Sequence, residues 1–263
     1  MNEFREQPGT VSQVSLASQA SQSHPTADAA EGVHEAVLAL LKPEAKGKLL
    51  DAPSGEGAFA LQMLELGHEV ICGDIAPARF RLSGVECRQL DLNHVWPYET
   101  NSFDCVVSIE AVEHLENPWH LVREAGRVLK PGGTFILTTP NVLSMRSRLS
   151  YLLYGYPNYF HYMVERDLRT NQEQRLDHIN PVGFLELRHI LARCGFGVEQ
   201  VVANRLLKRR SLVFSLLRWI MSSRGLSQVR EDQAKAAVRG TLLSEPLLFG
   251  EILIVKAKKG TVA

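Results

Sequence analysis

Two glycines and one acid, placed after two apolar runs, are the residues with the clearest chemical role. The first run, 49–52, breaks into a turn that carries Gly55 and Gly57. Glycine lets the backbone turn sharply and approach a ligand closely, where a Cβ would collide. The second run ends at Asp74, where a carboxylate at a strand end accepts hydrogen bonds from both ribose hydroxyls. This pattern predicts the nucleoside-binding half of a Rossmann-like sheet.

The elements that must position this turn alternate between short apolar runs and amphipathic segments. The predicted strands are 48–52, 69–74, 86–90, 103–109, 134–139, 197–203 and 248–257. The predicted helices, whose apolar residues recur at helical spacing, are 31–41, 57–66, 119–129 and 182–194. We therefore expect an α/β fold: Rossmann-like, doubly wound, with a mostly parallel seven-stranded sheet, an antiparallel last strand and helical insertions.

A polar tail and two insertions surround this core. Residues 1–28 are rich in Ser, Gln and Ala and are predicted to be a disordered N-terminal tail, with the domain over 29–263. The tyrosine-rich insertion 142–177 is predicted to be a substrate lid, or a hydrophobic cap on the sheet. A second, basic and apolar insertion spans 204–246. Its segment 208–221 either contacts a membrane surface or a protein partner, or packs in the core.

Charge and cysteine content narrow the function classes. Residues 31–141 hold nine Lys/Arg against sixteen Asp/Glu, and residues 142–230 hold fourteen against six. The basic region lacks the modules of nucleic-acid-binding proteins, so no DNA or RNA partner is predicted. The four scattered cysteines show no ligand spacing, and no metal site is predicted. The sequence shows neither a signal peptide nor a membrane-spanning run, which predicts a cytoplasmic protein, with contact at the inner membrane surface as a further option.

An ordered set of motifs resembles that of the class I S-adenosylmethionine-dependent methyltransferases. The resemblance covers 48–141 closely and 178–257 loosely, and it favours the methyltransferase-11 and -23 groups. One departure is Pro53, which stands where the family usually has its first glycine. It is either a trait of a subfamily or a cause of impaired cofactor binding. The motifs are Asp51–Gly57, Asp74, Gln89–Leu92, Trp96–Ser108, Glu113–Leu115 and Leu129–Gly133.

The resemblance implies S-adenosylmethionine as the cofactor. In the family, the acid at the Asp51 position helps to hold the cofactor's amino group, and the turn at Asp91 lies against the adenine. The cofactor carries no phosphate, so the turn does not need a third glycine. The implied cofactor-binding residues are Asp51, Ala52, Pro53, Gly55, Gly57, Asp74, Ile75, Asp91, Leu92, Ser108 and Ile109.

Methyl transfer sets limited demands on catalytic groups. The methyl donor is already activated, so the protein chiefly aligns the reactants and excludes water. An acceptor hydroxyl or amine must also lose a proton, for which a nearby histidine or carboxylate is suited. His178 lies where related methyltransferases carry a substrate-side histidine, and His114 follows Glu110 by four residues. These three are the candidate catalytic residues, with backbone-bonded structural histidines as the alternative.

The segments 139–141, 147–149 and 178–181 together resemble those of sugar and lipid-linked methyltransferases. We therefore expect methyl transfer, at an oxygen, to a small or glycan- or lipid-linked acceptor, with a role in cell-envelope polysaccharide metabolism. The alternatives are a catalytically silent binding module, a quinone or other small-molecule methyltransferase, and a nicotinamide-dependent oxidoreductase. The missing third glycine argues against the last of these. The oligomeric state and the acceptor atom stay open.

Overall fold

Seven strands form a single sheet in the computed structural model, which describes residues 25–160, 178–207, 215–216, 219 and 233–261. The strands follow the apolar runs of the sequence closely. Those before the first insertion are β1 Lys48–Asp51, β2 Glu69–Asp74, β3 Cys87–Gln89, β4 Phe103–Ser108 and β5 Leu129–Pro140. Those after it are β6 Phe196–Ala203 and β7 Ile252–Lys259.

Helices cover both faces of the sheet. Two of them begin with a side-chain cap, in which Asn117 accepts from the His120 amide and Ser144 accepts from the Ser147 amide. Short 3₁₀ turns occur at Pro77–Arg79 and Val112–His114. The described helices are α1 Val33–Leu41, α2 Ala58–Glu65, α3 Pro118–Val128, α4 Met145–Tyr154, α5 Phe184–Arg193, α6 Gln233–Leu242 and α7 Glu245–Phe249.

The strand order is β3-β2-β1-β4-β5-β7-β6. All neighbours from β3 to β5 are parallel, and β7 runs antiparallel to both β5 and β6. The predicted doubly wound sheet with an antiparallel last strand is thus confirmed. The chain reverses its direction of winding between β1 and β4, and ligands of such sheets bind at the carboxyl ends of the strands at this switch point.

A hydrophobic core lies on each face of the sheet. On one face, Trp96 and Phe103 pack with the apolar sides of α3 and α5. On the other face, Phe59 and Met63 of α2 pack with the apolar side of α1. Successive residues of β4 alternate between the two cores, because side chains of a strand point to opposite faces. The central strands of the sheet are therefore covered on both faces by described residues.

Two strands begin at clearly different positions from those predicted, whereas the other strand ends agree to within two residues. The last strand begins at Ile252, whereas residues 248–249 end α7, which has a proline in its first turn. An apolar run alone does not distinguish a strand from a buried helix, and here the proline favours the helix. Strand β5 begins at Leu129, five residues earlier than predicted. The segment 130–133 is an irregularity within the strand, because Leu129 pairs with Phe103 and Thr134 with Cys105.

Both insertions are described only in part. Residues 161–177 of the predicted lid lie outside the described residues, so its role stays a prediction. The segment 208–221 also lies mostly outside them, although Leu216 and Trp219 are described and exposed. None of the described helices is long and apolar enough to cross a membrane. The exposed large apolar side chains of α4 are Leu149, Tyr151, Leu152, Leu153 and Tyr154.

Glu44, in the loop between α1 and β1, links this loop to the centre of the sheet. Its carboxylate forms ion pairs with Lys256 and Lys258 of β7 and accepts a hydrogen bond from Thr134 of β5. Lys256 is almost fully buried, so its charge depends on this partner. Burial would raise the pKa of Glu44, but the hydrogen bonds and charges of the two lysines outweigh it and lower the pKa to about 2.

We expect Glu44→Gln to lower the free energy of unfolding by about 2 kcal/mol at pH 7, because it removes the nearer of the two carboxylates that face the buried Lys256 ammonium, at 2.5 Å, and leaves Glu199 at 3.6 Å. The folded-state pKa lies below the unfolded value of 4.5. The contribution is therefore fully present above the unfolded pKa and is lost as the pH falls towards about 2. Denaturant unfolding of both proteins between pH 7 and pH 3 measures this. A stability difference that stays constant across the range would contradict the assignment.

Candidate active site

A cleft of about 440 Å³ opens at the carboxyl ends of β1, β2 and β4. Its walls come from the turns after these strands, from the turn after β3, and from a segment that precedes α1. We name this segment, residues 25–30, the N-terminal strap. The cleft lies at the switch point of the sheet, where the glycine turn and Asp74 were predicted to meet.

The turn after β1 is held in place by hydrogen bonds to β2. The Ser54 amide donates to the Gly73 carbonyl at 3.0 Å, and the Gly73 amide donates to the Ser54 hydroxyl oxygen at 3.0 Å. Asp74 accepts from the amide of Gly55 at 2.9 Å and, through its other oxygen, from the amide of Ala76 at 2.8 Å. Each oxygen of Asp74 thus orients a loop of the cleft wall and keeps a further lone pair for a ligand.

Gly57 begins α2 in a backbone conformation that favours glycine. Its φ is +96°, in the left-handed region. A Cβ at this position would lie 2.7 Å from the ring of Phe80 and 3.0 Å from the Cβ of Leu82. The second glycine of the motif therefore permits both the turn and the close approach of the segment 80–82.

Asp51, the last residue of β1, lines the cleft with a buried carboxyl group. Only 1% of the residue is exposed, and neither carboxyl oxygen accepts a hydrogen bond from a described residue. Burial raises the pKa of Asp51 well above its usual range, and the negative charge of Asp74 adds to this effect. A buried carboxyl group without a partner is costly, so this position is suited to a ligand that donates hydrogen bonds.

Asp91 and Leu92 extend the cleft beyond β3. One oxygen of Asp91 accepts from the Asn93 amide at 2.9 Å, and the other lies 2.9 Å from Nδ1 of His94. Burial would raise the pKa of Asp91, but the hydrogen bonds from Asn93 and His94 outweigh it and lower the pKa. Asp91 is therefore a charged acceptor at this end of the cleft.

Glu110 follows β4 and lies at the end of the cleft opposite Asp91. Its backbone has a positive φ of 46°, and its amide donates to the Thr138 hydroxyl oxygen at 2.8 Å. Its carboxylate accepts from the Ala30 amide of the N-terminal strap at 2.9 Å. Burial raises the pKa of Glu110. The side chain thus holds the strap against the cleft.

His114 and His178 lie side by side beyond Glu110. Their ring centroids are 4.8 Å apart in an edge-to-face arrangement, and the ring of His178 also packs on Phe160. Nδ1 of His178 lies 3.0 Å from the Tyr159 carbonyl oxygen. Because a carbonyl only accepts, Nδ1 carries the proton and Nε2 is the basic nitrogen of the neutral ring. Burial lowers the pKa of His114, which favours its neutral form.

Glu113 lies directly behind this histidine pair. The residue is fully buried, and neither carboxyl oxygen accepts a hydrogen bond from a described residue. Burial raises the pKa of Glu113 to about 8, and the charge of Glu110 contributes. The sequence analysis placed Glu113 in a motif but not in the site. The signal was available, since Glu110, Glu113 and His114 form a Glu-x-x-Glu-His pattern in one short turn.

The N-terminal strap crosses the mouth of the cleft on polar contacts. Thr26 donates from its amide and its hydroxyl to Glu56, at 3.0 and 2.8 Å. Asp28 forms an ion pair with Arg79 at 2.7 Å. The predicted disordered tail, 1–28, extends into this strap, because no pattern in the polar segment signals the cleft. Thr26 and Asp28 contact the domain, and residues 1–24 lie outside the described residues, where the tail stays a prediction.

The cleft brings together most of the predicted site residues. Ala52, Gly57 and Ser108 do not line it: Ala52 and Ser108 are buried beneath it, and Gly57 begins α2. The predicted residues that line it are Asp51, Pro53, Gly55, Asp74, Ile75, Asp91, Leu92, Ile109, Glu110, His114 and His178.

Carboxylates dominate the charge of this cleft. Among the described lining residues, Arg79 is the one arginine that could balance these negative charges, and it already forms an ion pair with Asp28. The cleft therefore favours a ligand that carries positive charge and hydroxyl groups and disfavours a phosphate-bearing one. The six acidic lining residues are Asp28, Asp51, Glu56, Asp74, Asp91 and Glu110.

Comparison with known proteins identifies similar sequences. Residues 50–137 match the family model described as a methyltransferase domain. The chain is 34% identical over 106 residues to a ubiquinone biosynthesis O-methyltransferase of Xanthomonas oryzae, covering 37% of this chain and 44% of the relative. It is 35% identical over 175 residues to a probable S-adenosylmethionine-dependent methyltransferase of Mycolicibacterium smegmatis, covering 64% of this chain and 60% of the relative. The chain thus spans about half the length of these relatives.

Solved structures share the fold. A SAM-dependent methyltransferase from Archaeoglobus fulgidus superposes with a TM-score of 0.54 at 18% identity, over 86% of this chain and 94% of that one. A methyltransferase structure from Bacillus halodurans gives the same score at 19% identity, over 86% and 98%. At this identity the similarity concerns the arrangement of strands and helices alone.

We expect Gly57→Ala to lower the free energy of unfolding more than Gly67→Ala does. Both glycines have positive φ, which costs a side chain about 1–2 kcal/mol, but only at Gly57 does the new Cβ also collide with Phe80. Nothing lies within 4 Å of the corresponding Cβ at Gly67, which makes it a matched control. Denaturant unfolding measures both variants. Equal losses would contradict a steric role for this glycine.

Proposed function

Because residues 50–137 form a methyltransferase domain of the class I S-adenosylmethionine-dependent family, we propose that this chain transfers a methyl group to a hydroxyl of a small acceptor. The observation that carries the proposal is the acid-lined cleft at the sheet's switch point, with two histidines at one end. When bound, S-adenosylmethionine supplies an activated methyl group on a positively charged sulfur.

The donor set of the cleft fits this cofactor. The cofactor has two positive centres, one carboxylate and a ribose, and it carries no phosphate. The buried Asp51 carboxyl lacks a partner among the described residues and is suited to the cofactor's ammonium group. Asp74 and Asp91 supply acceptors for hydroxyl and amino groups. The same excess of acids disfavours a nicotinamide dinucleotide with its pyrophosphate, which argues against the oxidoreductase alternative.

We assign the nucleoside end of the cofactor to the side of Asp74 and Asp91. Asp74 is oriented by the Gly55 and Ala76 amides, so it is held ready to accept from the ribose hydroxyls. Pro53 lines the cleft rather than blocking it, and the Gly55 amide is held by Asp74. These contacts support cofactor binding over the alternative of a silent module.

We assign the acceptor to the opposite end, beside His114 and His178. The acceptor hydroxyl would lose its proton, and the acceptor oxygen would form a bond to the methyl carbon. The carbon–sulfur bond would break at the same time, and the electron pair of that bond would stay on sulfur. The two histidines are the groups positioned to withdraw this proton. The N-terminal strap covers the cleft and limits the access of water.

A phenolic or catechol-type ring is the acceptor class that we favour. The Xanthomonas relative is named as a ubiquinone biosynthesis O-methyltransferase, and the acceptor end is lined by the rings of His114 and His178, with the buried Phe160 packed against His178. The predicted glycan- or lipid-linked acceptor depends on the insertions. About half of the residues in the two insertions lie outside the described residues, and an envelope role stays a prediction, as does contact with a membrane surface.

We expect Asp74→Asn to weaken S-adenosylmethionine binding by about 10–100-fold, because it removes a charged acceptor of two hydroxyl protons. Isothermal titration calorimetry of the full chain measures the affinity. Asp104→Asn is the matched control, since Asp104 lies at the opposite edge of the sheet and binds Lys130 and the Lys48 amide. This control should bind the cofactor as the parent does. Unchanged affinity in Asp74→Asn would remove Asp74 from the site.

We expect His178→Gln and His114→Gln to lower kcat by about 10²–10⁴-fold while cofactor affinity changes little, because proton withdrawal acts on the acceptor. Methyl transfer to a panel of catechols, simple phenols and sugars, followed by mass spectrometry, measures turnover and acceptor class together. Full activity of both variants would refute the assignment. Methylation of sugars alone would replace the ring acceptor with a glycan acceptor.

A further inference from the structure

Three groups that commonly bind metal ions converge at the acceptor end of the cleft. One carboxylate oxygen of Glu113 and one ring nitrogen each of His114 and His178 lie within 4.8 Å of one another. From this geometry we propose that Glu113, His114 and His178 form a binding site for a borderline divalent transition-metal ion such as Zn²⁺ or Co²⁺. The site stands on its own geometry, whereas its role in catalysis rests on the proposed function.

The Glu113 carboxylate supports a cation at this position. It is fully buried, and neither oxygen accepts a hydrogen bond from a described residue. A buried carboxyl group either stays protonated or, when it is ionised, is paired or coordinates a metal, because an ionised group left alone forfeits its hydration without compensation. The two histidines on the same side of the cleft supply neutral nitrogen ligands rather than a competing fixed charge.

The orientation of His178 is the one that a metal ligand needs. Its Nδ1 donates to the Tyr159 carbonyl, which leaves Nε2 as the nitrogen with a lone pair. Ligand histidines in metalloproteins are oriented in this way, with the second ring nitrogen donating to a carbonyl or carboxylate. The edge of the Phe160 ring further restricts the imidazole.

The backbone holds the two halves of the cluster together. The Glu113 carbonyl oxygen accepts from the amides of Ile179 and Asn180, at 2.8 and 2.9 Å. The Asn180 side-chain amide also donates to the Leu115 carbonyl. Residues 113–115 and 178–180 are therefore joined by hydrogen bonds immediately beside the three ligands. Such preorganisation reduces the rearrangement that metal binding requires.

The ligand set indicates the class of metal. Two imidazoles and one carboxylate suit Zn²⁺ and other first-row transition metals, whereas Mg²⁺ and Ca²⁺ favour oxygen ligands. Metal–nitrogen and metal–oxygen bonds of about 2.0–2.2 Å require the three atoms to move slightly closer together. Three protein ligands leave coordination positions open. Because His114 and His178 line the cleft, these positions face the acceptor.

This arrangement assigns the histidines a specific part in the proposed reaction. A divalent cation held by Glu113, His114 and His178 would lower the pKa of an acceptor hydroxyl that binds it, because the cation would stabilise the negative charge left when the proton passes to water. The resulting oxygen would be the nucleophile for the methyl group. A catechol, with two adjacent oxygens, is suited to two open positions. With the ion bound, the histidines would act on the proton through the cation, whereas the direct withdrawal of the proton described above applies to the metal-free site.

The test begins with the full chain stripped of metal by a chelator. Titration with Zn²⁺ and with Co²⁺ by calorimetry should show one tight site per chain, and Co²⁺ should give the visible absorption bands of a site with nitrogen ligands. Glu113→Gln, His114→Gln and His178→Gln should each weaken binding by at least about 10–100-fold. His189→Gln, which changes an exposed histidine on α5, is the matched control and should leave binding unchanged.

Circular dichroism and S-adenosylmethionine titration of the same metal-free variants test whether they fold. Cofactor binding in all variants, with metal binding lost only in the three cluster variants, supports the site. Metal affinity that is absent in the parent, or equal in the cluster variants and the control, overturns it even if the cofactor binds. Tight metal binding without any cofactor binding would instead reject the proposed function and leave the metal site standing.

Discussion

The hydrogen bonds of Ser54 between β1 and β2 are the constraint on which the rest of the site depends. Ser54 donates from its amide to Gly73, accepts from the Gly73 amide, and donates from its hydroxyl to the Asp51 carbonyl at 2.6 Å. These contacts continue the parallel pairing of the two strands past the end of β1. As a result, the glycine turn leaves the sheet directly beside Asp74, which then holds the Gly55 amide. The nucleoside end of the cleft is thus an extension of the sheet rather than a free loop.

The two ends of the cleft share an electrostatic feature. Asp51 at one end and Glu113 at the other are buried carboxyl groups whose oxygens accept no hydrogen bond from a described residue. Each such group costs the folded chain about 1–3 kcal/mol. A ligand that binds only the folded protein stabilises it by mass action and thereby offsets this cost. A cationic cofactor at Asp51 and a metal ion at Glu113 are consistent with that expectation, and both would stabilise the chain. Burial of apolar side chains in the two cores on the faces of the sheet offsets this cost in the folded chain.

The cleft is closed by contacts between distant parts of the chain. The N-terminal strap reaches Glu56, Arg79 and Glu110 through polar contacts, whereas α1, which follows it, is anchored by apolar side chains. Polar surface contacts are individually weak, so the strap is the part of the wall that opens at the lowest cost. The wall of the sheet itself is fixed by strand pairing. Movement of the strap would therefore widen the cleft at a lower cost than movement of the sheet.

The sequence by itself determined the sheet, because short apolar runs with strand and helix periodicity specify elements largely through local patterns. It also determined the glycine turn and Asp74, since both follow strands whose carboxyl ends must meet. Two predictions were wrong. Residues 130–133, predicted as a turn, form an irregularity within β5, and residues 248–249, predicted as strand, end a helix with a proline in its first turn. Composition alone does not distinguish these alternatives. Only the tertiary structure decided the acceptor end. Glu113, His114 and His178 come from two segments that are joined by hydrogen bonds across the fold, and the burial that leaves Glu113 without a described partner depends on packing that no local pattern encodes.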